Sequence, residues 1–114
     1  LRVYTKKQLG FMCESWVIFI NTEITEDEII IKIKDNAGGI DENIIDNVFE
    51  SYFTTKQETK GTGIGLYMSK EIVEKHMNGT LSVSNEEYVY LEKSYKGATF
   101  LITLPFIKKE ENII

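Results

Sequence analysis

The run Ile29-Ile30-Ile31-Lys32-Ile33-Lys34 constrains the fold more tightly than any other segment of this chain. Ile29, Ile31 and Ile33 share one face of an extended strand, and Lys32 and Lys34 share the other. That period of two predicts a strand with one buried side. Upstream, Trp16-Val17-Ile18-Phe19-Ile20 is apolar without interruption and rich in β-formers, as expected for a strand buried on both faces. A polar turn from Glu23 to Asp27 joins the two into a hairpin. The same alternation carries Asp35 out of the sheet on the core side. A carboxylate there is costly to bury unless donors satisfy it.

The remaining segments assemble around that hairpin. Asn36-Ala37-Gly38-Gly39 reads as a turn, with Asp41 as N-cap of a helix from Glu42 to Phe49. Residues Glu50 to Lys60 lack periodicity and read as a loop. A second helix follows Gly65 and is expected to bury Leu66, Ser69, Ile72, Val73 and Met77 on one stripe. Asn78-Gly79 should close it with a left-handed C-terminal cap. Leu81 and Val83 mark a strand through Ser84, and Phe100, Ile102 and Leu104 mark another ending at Pro105. Tyr88 to Leu91 would lengthen that hairpin. At the start of the chain, Leu9, Met12, Cys13 and Trp16 have helical spacing behind Thr5 as a cap. The tail after Ile107 is expected to fray. Hairpins flanking a helical pair make an α+β fold in which helices pack on one face of a mixed, largely antiparallel sheet.

With 114 residues, the chain is expected to form one domain around a single core. Its net charge of -5 argues against nucleic acid or an anionic membrane surface as the main partner, while leaving room for a local basic pocket at Lys56 and Lys60. One cysteine, Cys13, forms no internal disulfide and fits a reducing compartment. No apolar run reaches the length of a membrane span and no signal peptide is visible, so no direct membrane contact is expected. The first residue is Leu1 rather than Met, and the chain is expected to be a piece of a longer protein.

Chemistry concentrates in three places. Asp35, beside a flexible glycine turn, is suited to accept a hydrogen bond from an amino group on a flat ligand, or simply to cap the turn. Thr54-Thr55-Lys56 offers hydroxyls and a cation in the loop, as a phosphate lid or a solvated loop would. Lys60-Gly61-Thr62-Gly63-Ile64-Gly65-Leu66 places glycines at alternate positions before a helix. Its backbone can approach a ligand closely, and the helix start suits a phosphate, although plain packing fits the same residues. The spacing is neither a P-loop nor a dinucleotide fingerprint. Phe49 is expected to pack in the core, with Tyr52 and Phe53 at the hinge of the loop. His76 has no companion ligands and reads as structural.

Taken in order, these blocks resemble the ATP-binding catalytic domain of sensor histidine kinases, within the superfamily that includes type II topoisomerase ATPases, a heat-shock chaperone and mismatch-repair proteins. Asp35-Asn36-Ala37-Gly38-Gly39-Ile40-Asp41 looks like the first glycine box and Val48-Phe49-Glu50-Ser51-Tyr52-Phe53-Thr54-Thr55-Lys56 like the phenylalanine box. Lys60 to Leu66 is similar to the second glycine box, and Gly97-Ala98-Thr99-Phe100 to Leu104-Pro105 looks like the closing strand. The resemblance covers about residues 28–106. It implies a Bergerat-type α/β sandwich. Asp35 would then accept from the adenine amino group, with Gly39 and Ile40 shaping the adenine pocket and Thr99 among the cofactor-binding residues. Lys56, Lys60, Gly61, Thr62, Gly63, Ile64, Gly65 and Leu66 would serve the phosphates, with residues 50–60 as the lid. The implied cofactors are ATP and Mg²⁺. The implied partners are a separate histidine-bearing dimerisation domain of the same protein and a response regulator. Location would be cytoplasmic, with any inner-membrane tether lying upstream.

Two departures from the family pattern stand out. Ala37 occupies the first glycine of D-x-G-x-G, which is tolerable if its φ stays negative. The stretch Thr5 to Glu14 contains no asparagine, although the family holds Mg²⁺ with one on the corresponding helix. Either the chain was cut or altered upstream or the protein is degenerate, and a regulatory module with the same fold and little Mg-ATP binding is the alternative expectation.

Overall fold

The computed structural model describes residues 2–5, 16–53 and 63–106. Five strands form one sheet in the order β1-β2-β3-β5-β4: β1 (Arg2–Thr5), β2 (Val17–Ile24), β3 (Glu28–Asp35), β4 (Thr80–Tyr90) and β5 (Lys93–Pro105). Every described pairing is antiparallel, so the parallel component expected from the sequence does not occur among these strands. The expected hairpin of β2 and β3 forms. It turns at Thr25, whose N–H donates to the Glu28 carbonyl at 2.8 Å while its Oγ1 accepts from the Glu28 N–H at 3.0 Å. Strand β1 is an addition: Thr5 lies in a strand paired with Val17, not at a helix cap. The rest of the expected first helix, and the tail from 107, lie outside the described residues.

Register divides the sheet into two faces. Ile31 faces Ile102 and Ile33 faces Phe100 across β3 and β5, with Leu81 and Val83 of β4 continuing the same layer. The helical segments sit on this front face. The back face carries Phe19, Asn21, Lys32, Lys34, Thr99 and Glu86, offset by one residue along each strand.

The first expected helix is reduced to hydrogen-bonded turns around a single 3₁₀ turn, Ile45–Asn47. Asp41 does not cap it: its side chain accepts from the Asn43 N–H at 2.8 Å, closing a turn just upstream, and the 3₁₀ turn itself starts after Ile44 without a side-chain cap. Asn43, Ile44, Ile45, Asp46, Asn47 and Val48 are poor helix formers, so the segment stays with short-range turn bonds. Phe49 packs edge-on against Phe100, 6.4 Å between centroids, as a core anchor should.

The second helix, α1 (Gly65–Glu71), runs into a π-helical turn, Ile72–His76. Asn78 takes the left-handed conformation (φ 55°), and the Gly79 N–H donates to the Val73 carbonyl at 2.8 Å, the expected cap. The expected buried stripe is rotated away from the sheet: Leu66, Ile72 and Met77 are 38%, 48% and 45% exposed. Of the expected stripe only Val73 is half-buried, and Tyr67, Lys70, Glu71 and Glu74 take the places of the others. Lys70 accounts for the rotation. Its Nζ donates to the Leu81 carbonyl at 3.1 Å and lies 4.7 Å from the Phe49 ring centre, so its stem covers apolar surface. Among the described residues no helix is long and apolar enough to cross a membrane.

Candidate functional site

Asp35 is the last residue of β3, on the front face. Its Oδ1 accepts from the Ala37 N–H at 3.0 Å and the Ala98 N–H at 3.1 Å. These two amides fix the carboxylate plane. An ionised carboxylate accepts on both oxygens, and no hydrogen bond to Oδ2 is made among the described residues. Oδ2 is thus the oxygen available to an incoming N–H donor.

The main chain around Asp35 is held just as closely. Its carbonyl accepts from the Tyr88 hydroxyl at 2.5 Å. A Cβ on Gly97 would lie 1.8 Å from that carbonyl oxygen, so only glycine allows β5 to approach here. Burial, then the charge of Asp35, with Tyr95 and Glu86 adding, pushes the Tyr88 phenol up to about 12.

The turn after Asp35 is latched to β4. Asn85 Oδ1 accepts from the Ile40 N–H at 2.7 Å, while its Nδ2 donates to the Ile40 carbonyl at 2.7 Å and to Glu42 Oε1 at 2.9 Å. Gly39 (φ 89°) runs directly beneath this amide, and a Cβ there would sit 2.7 Å from Asn85 Oδ1. Ala37 is not among the residues with positive φ, so its methyl is accommodated where the family has glycine.

At the other end, Gly63 (φ 68°) packs on the chain that precedes the loop: a Cβ would lie 2.4 Å from the Tyr52 carbonyl carbon and 2.5 Å from the Phe53 oxygen. The described chain at Tyr52 and Phe53 therefore meets Gly63 at one point. Ile64 is half-buried and its carbonyl accepts from the Met68 N–H at 2.9 Å. Gly65 opens α1 with nothing among the described residues within 4 Å of where its Cβ would be, its own helix and chain neighbours aside. Leu66 follows it, partly exposed. Lys56, Lys60, Gly61 and Thr62 lie outside the described residues, as do Thr54 and Thr55.

Thr99 does not join Asp35. Its register partner is Lys34, so its side chain is on the back face, 3% exposed and beside Glu86. Its buried hydroxyl has no hydrogen-bond partner among the described residues. The β5 residue at Asp35 is Ala98, which contributes its amide. The sequence reading placed Thr99 one residue out of phase; counting alternation along β5 from Phe100, opposite Ile33, would have corrected it. Asn85 and Tyr88 were missed. An asparagine inside a strand is the signal for Asn85, since the residue is disfavoured there unless its side chain bonds elsewhere.

Comparison with known proteins agrees with this geometry. Residues 10–108 match the family described as histidine kinase-, DNA gyrase B-, and HSP90-like ATPase. The two-component sensor PprA of Pseudomonas aeruginosa is 37% identical over 81 residues, covering 71% of this chain and 8% of its own length. Sporulation kinase E of Bacillus subtilis is 33% identical over 107 residues, covering 93% of this chain and 13% of its own. The chain thus spans a small fraction of these relatives. Among solved structures, the catalytic domain of histidine kinase ThkA superposes with a TM-score of 0.62 at 25% identity, over 81% of this chain and 54% of that one. With its first glycine turn beside Asp35 and its second at the start of α1, the chain belongs to the histidine kinase-, DNA gyrase B- and HSP90-like ATPase family.

Proposed function

We infer that this chain is the ATP-binding catalytic domain of a two-component sensor histidine kinase, working on the cytoplasmic side. The observation that carries the reading is the Asp35 carboxylate, held by two backbone amides on Oδ1 and able to receive an adenine amino group on Oδ2. Gly39 and Ile40, fixed by Asn85, would border the base. Gly63, Ile64, Gly65 and Leu66, with Lys56, Lys60, Gly61 and Thr62, would hold the phosphates, and residues 50–60 would cover them. ATP supplies the phosphoryl group. This chain's residues bind and orient it toward a histidine on a separate dimerisation domain, from which a response regulator takes it.

Mg²⁺ fits less well. The stretch Thr5 to Glu14 has no asparagine, and among the described residues no group of three acidic, histidine or cysteine side chains is placed around a common ion site. No step is therefore assigned to the metal. The second reading is a regulatory module that retains adenine recognition but binds Mg-ATP poorly.

Titration of the chain with ADP and ATP, with and without Mg²⁺, tests both. The kinase reading expects ADP binding that Asp35→Ala abolishes, with magnesium strengthening ATP. Binding indifferent to magnesium would support the regulatory reading. ADP affinity unchanged in a folded Asp35→Ala variant would remove the adenine assignment.

A further inference from the structure

The long hairpin of β4 and β5 outruns the rest of the sheet. Beyond Asn85 and Ala98 it continues for five more pairs, from Glu86 with Gly97 to Tyr90 with Lys93, with β3 already ended at Asp35. Phe19 of β2 nevertheless contacts three rings of this arm, Tyr88, Tyr90 and Tyr95, at centroid distances of 5.2, 4.8 and 5.8 Å. Strand β2 lies across β3 from the hairpin, so the arm must curl over the back face. Between arm and sheet is a cavity of about 310 Å³, floored by Phe19, Asn21, Lys32 and Lys34 and roofed by Tyr88 and Tyr90. It is separate from the Asp35 site, on the opposite face.

Its polar groups are unequally engaged. Lys34 Nζ is 3.2 Å from Glu86 Oε2 and 5.1 Å from the Tyr88 ring centre, so its charge is already matched. Lys32 and Asn21 are register partners on the same face, and among the described residues neither side chain makes a hydrogen bond or ion pair. One cation, which acts on the Glu86 carboxylate only at a distance and makes no direct ion pair among the described residues, and one amide therefore adjoin aromatic walls in a space of small-ligand size. We propose that this back-face cleft binds a small planar aromatic carboxylate, its ring against Phe19 and Tyr90 and its anion on Lys32 Nζ and Asn21 Nδ2. A ring suits edge and face contacts with the aromatic walls, and a carboxylate accepts from both donors at once.

The probe is 2-naphthoate, titrated into the whole chain while backbone amide shifts are followed. Saturable changes centred on Asn21, Lys32 and Tyr90 are expected. Lys32→Met, which keeps the stem and removes the charge, should weaken binding about tenfold, Lys32→Arg should retain it, and the neutral 2-naphthamide should bind as weakly as naphthoate does to Lys32→Met. Three results would overturn the proposal: no saturation at millimolar probe, shifts centred on Asp35 and Gly65 instead, or equal affinity in Lys32→Met.

Discussion

The two glycine turns of this chain are built on opposite terms. Around Asp35 the backbone is pinned by Ala37, Ala98, Tyr88 and Asn85; Gly39 and Gly97 are there because neighbouring atoms leave no room, and Gly38 because its φ is 96°. At the start of α1, Gly63 is hemmed in by Tyr52 and Phe53, but among the described residues nothing crowds Gly65. A glycine that nothing crowds, in a position where alanine would favour the helix, is difficult to explain by packing. The contrast separates a preorganised acceptor, which needs rigidity to select a base, from a turn kept free of side chains, which suits a ligand that comes close to the backbone.

The largest expected effect lies at the rigid end. In Gly97→Ala the new methyl meets the Asp35 carbonyl oxygen and backbone, with no flexible side chain there to move aside. Denaturant unfolding should show a loss of about 3 kcal/mol. A loss within experimental error would mean that β5 can withdraw from Asp35 freely, and the contrast between the two ends would fail.

Next is Asn85→Ala, which leaves the Ile40 N–H and carbonyl without their partner and frees Glu42. A loss of about 2 kcal/mol is expected, with faster amide exchange at Ile40. Asn85 also shows where the sequence stopped being legible. Asp35 could be read because alternation is local: three isoleucines two residues apart dictate the face of the next odd position. The partners of Ile40 lie 45 residues away, and their identity depends on the register of two hairpins that no local pattern specifies. Thr99 failed for the same reason, since a one-residue offset in β5 reverses the face. The apolar stripe of α1 misled differently. Its period was correctly read, but the bond from Lys70 to Leu81 and its stacking on Phe49 decide which side leans on the sheet.

Tyr88→Phe tests the same end more gently. It removes the hydroxyl that donates to the Asp35 carbonyl, for an expected cost of about 1 kcal/mol near neutral pH. The phenol's folded value, about 12, lies above the ordinary value of 10.0. Its neutral form is therefore favoured by folding: the contribution is complete below pH 10 and declines as pH rises toward 12. Stability measured across that window should fall more steeply for the parent chain than for Tyr88→Phe. Parallel curves would show that the phenol is no more confined in the folded state than in the unfolded one.

The smallest stability effect, and the sharpest use of the comparison, is expected from Gly65→Ala. Among the described residues no atom outside its own helix and chain neighbours lies within 4 Å of the added methyl, and the position is helical with φ outside the positive range. Unfolding free energy should stay within about 0.5 kcal/mol of the parent, or rise slightly through the better helix propensity of alanine. Nucleotide affinity should respond differently. If phosphates approach the backbone here, the methyl stands in their path, and ADP binding should weaken about tenfold without any loss of stability. AMP, which reaches less far from the base, should be affected less than ADP. Equal effects on both would assign Gly65 to the helix alone, and loss of stability without loss of affinity would make it a packing glycine like Gly97.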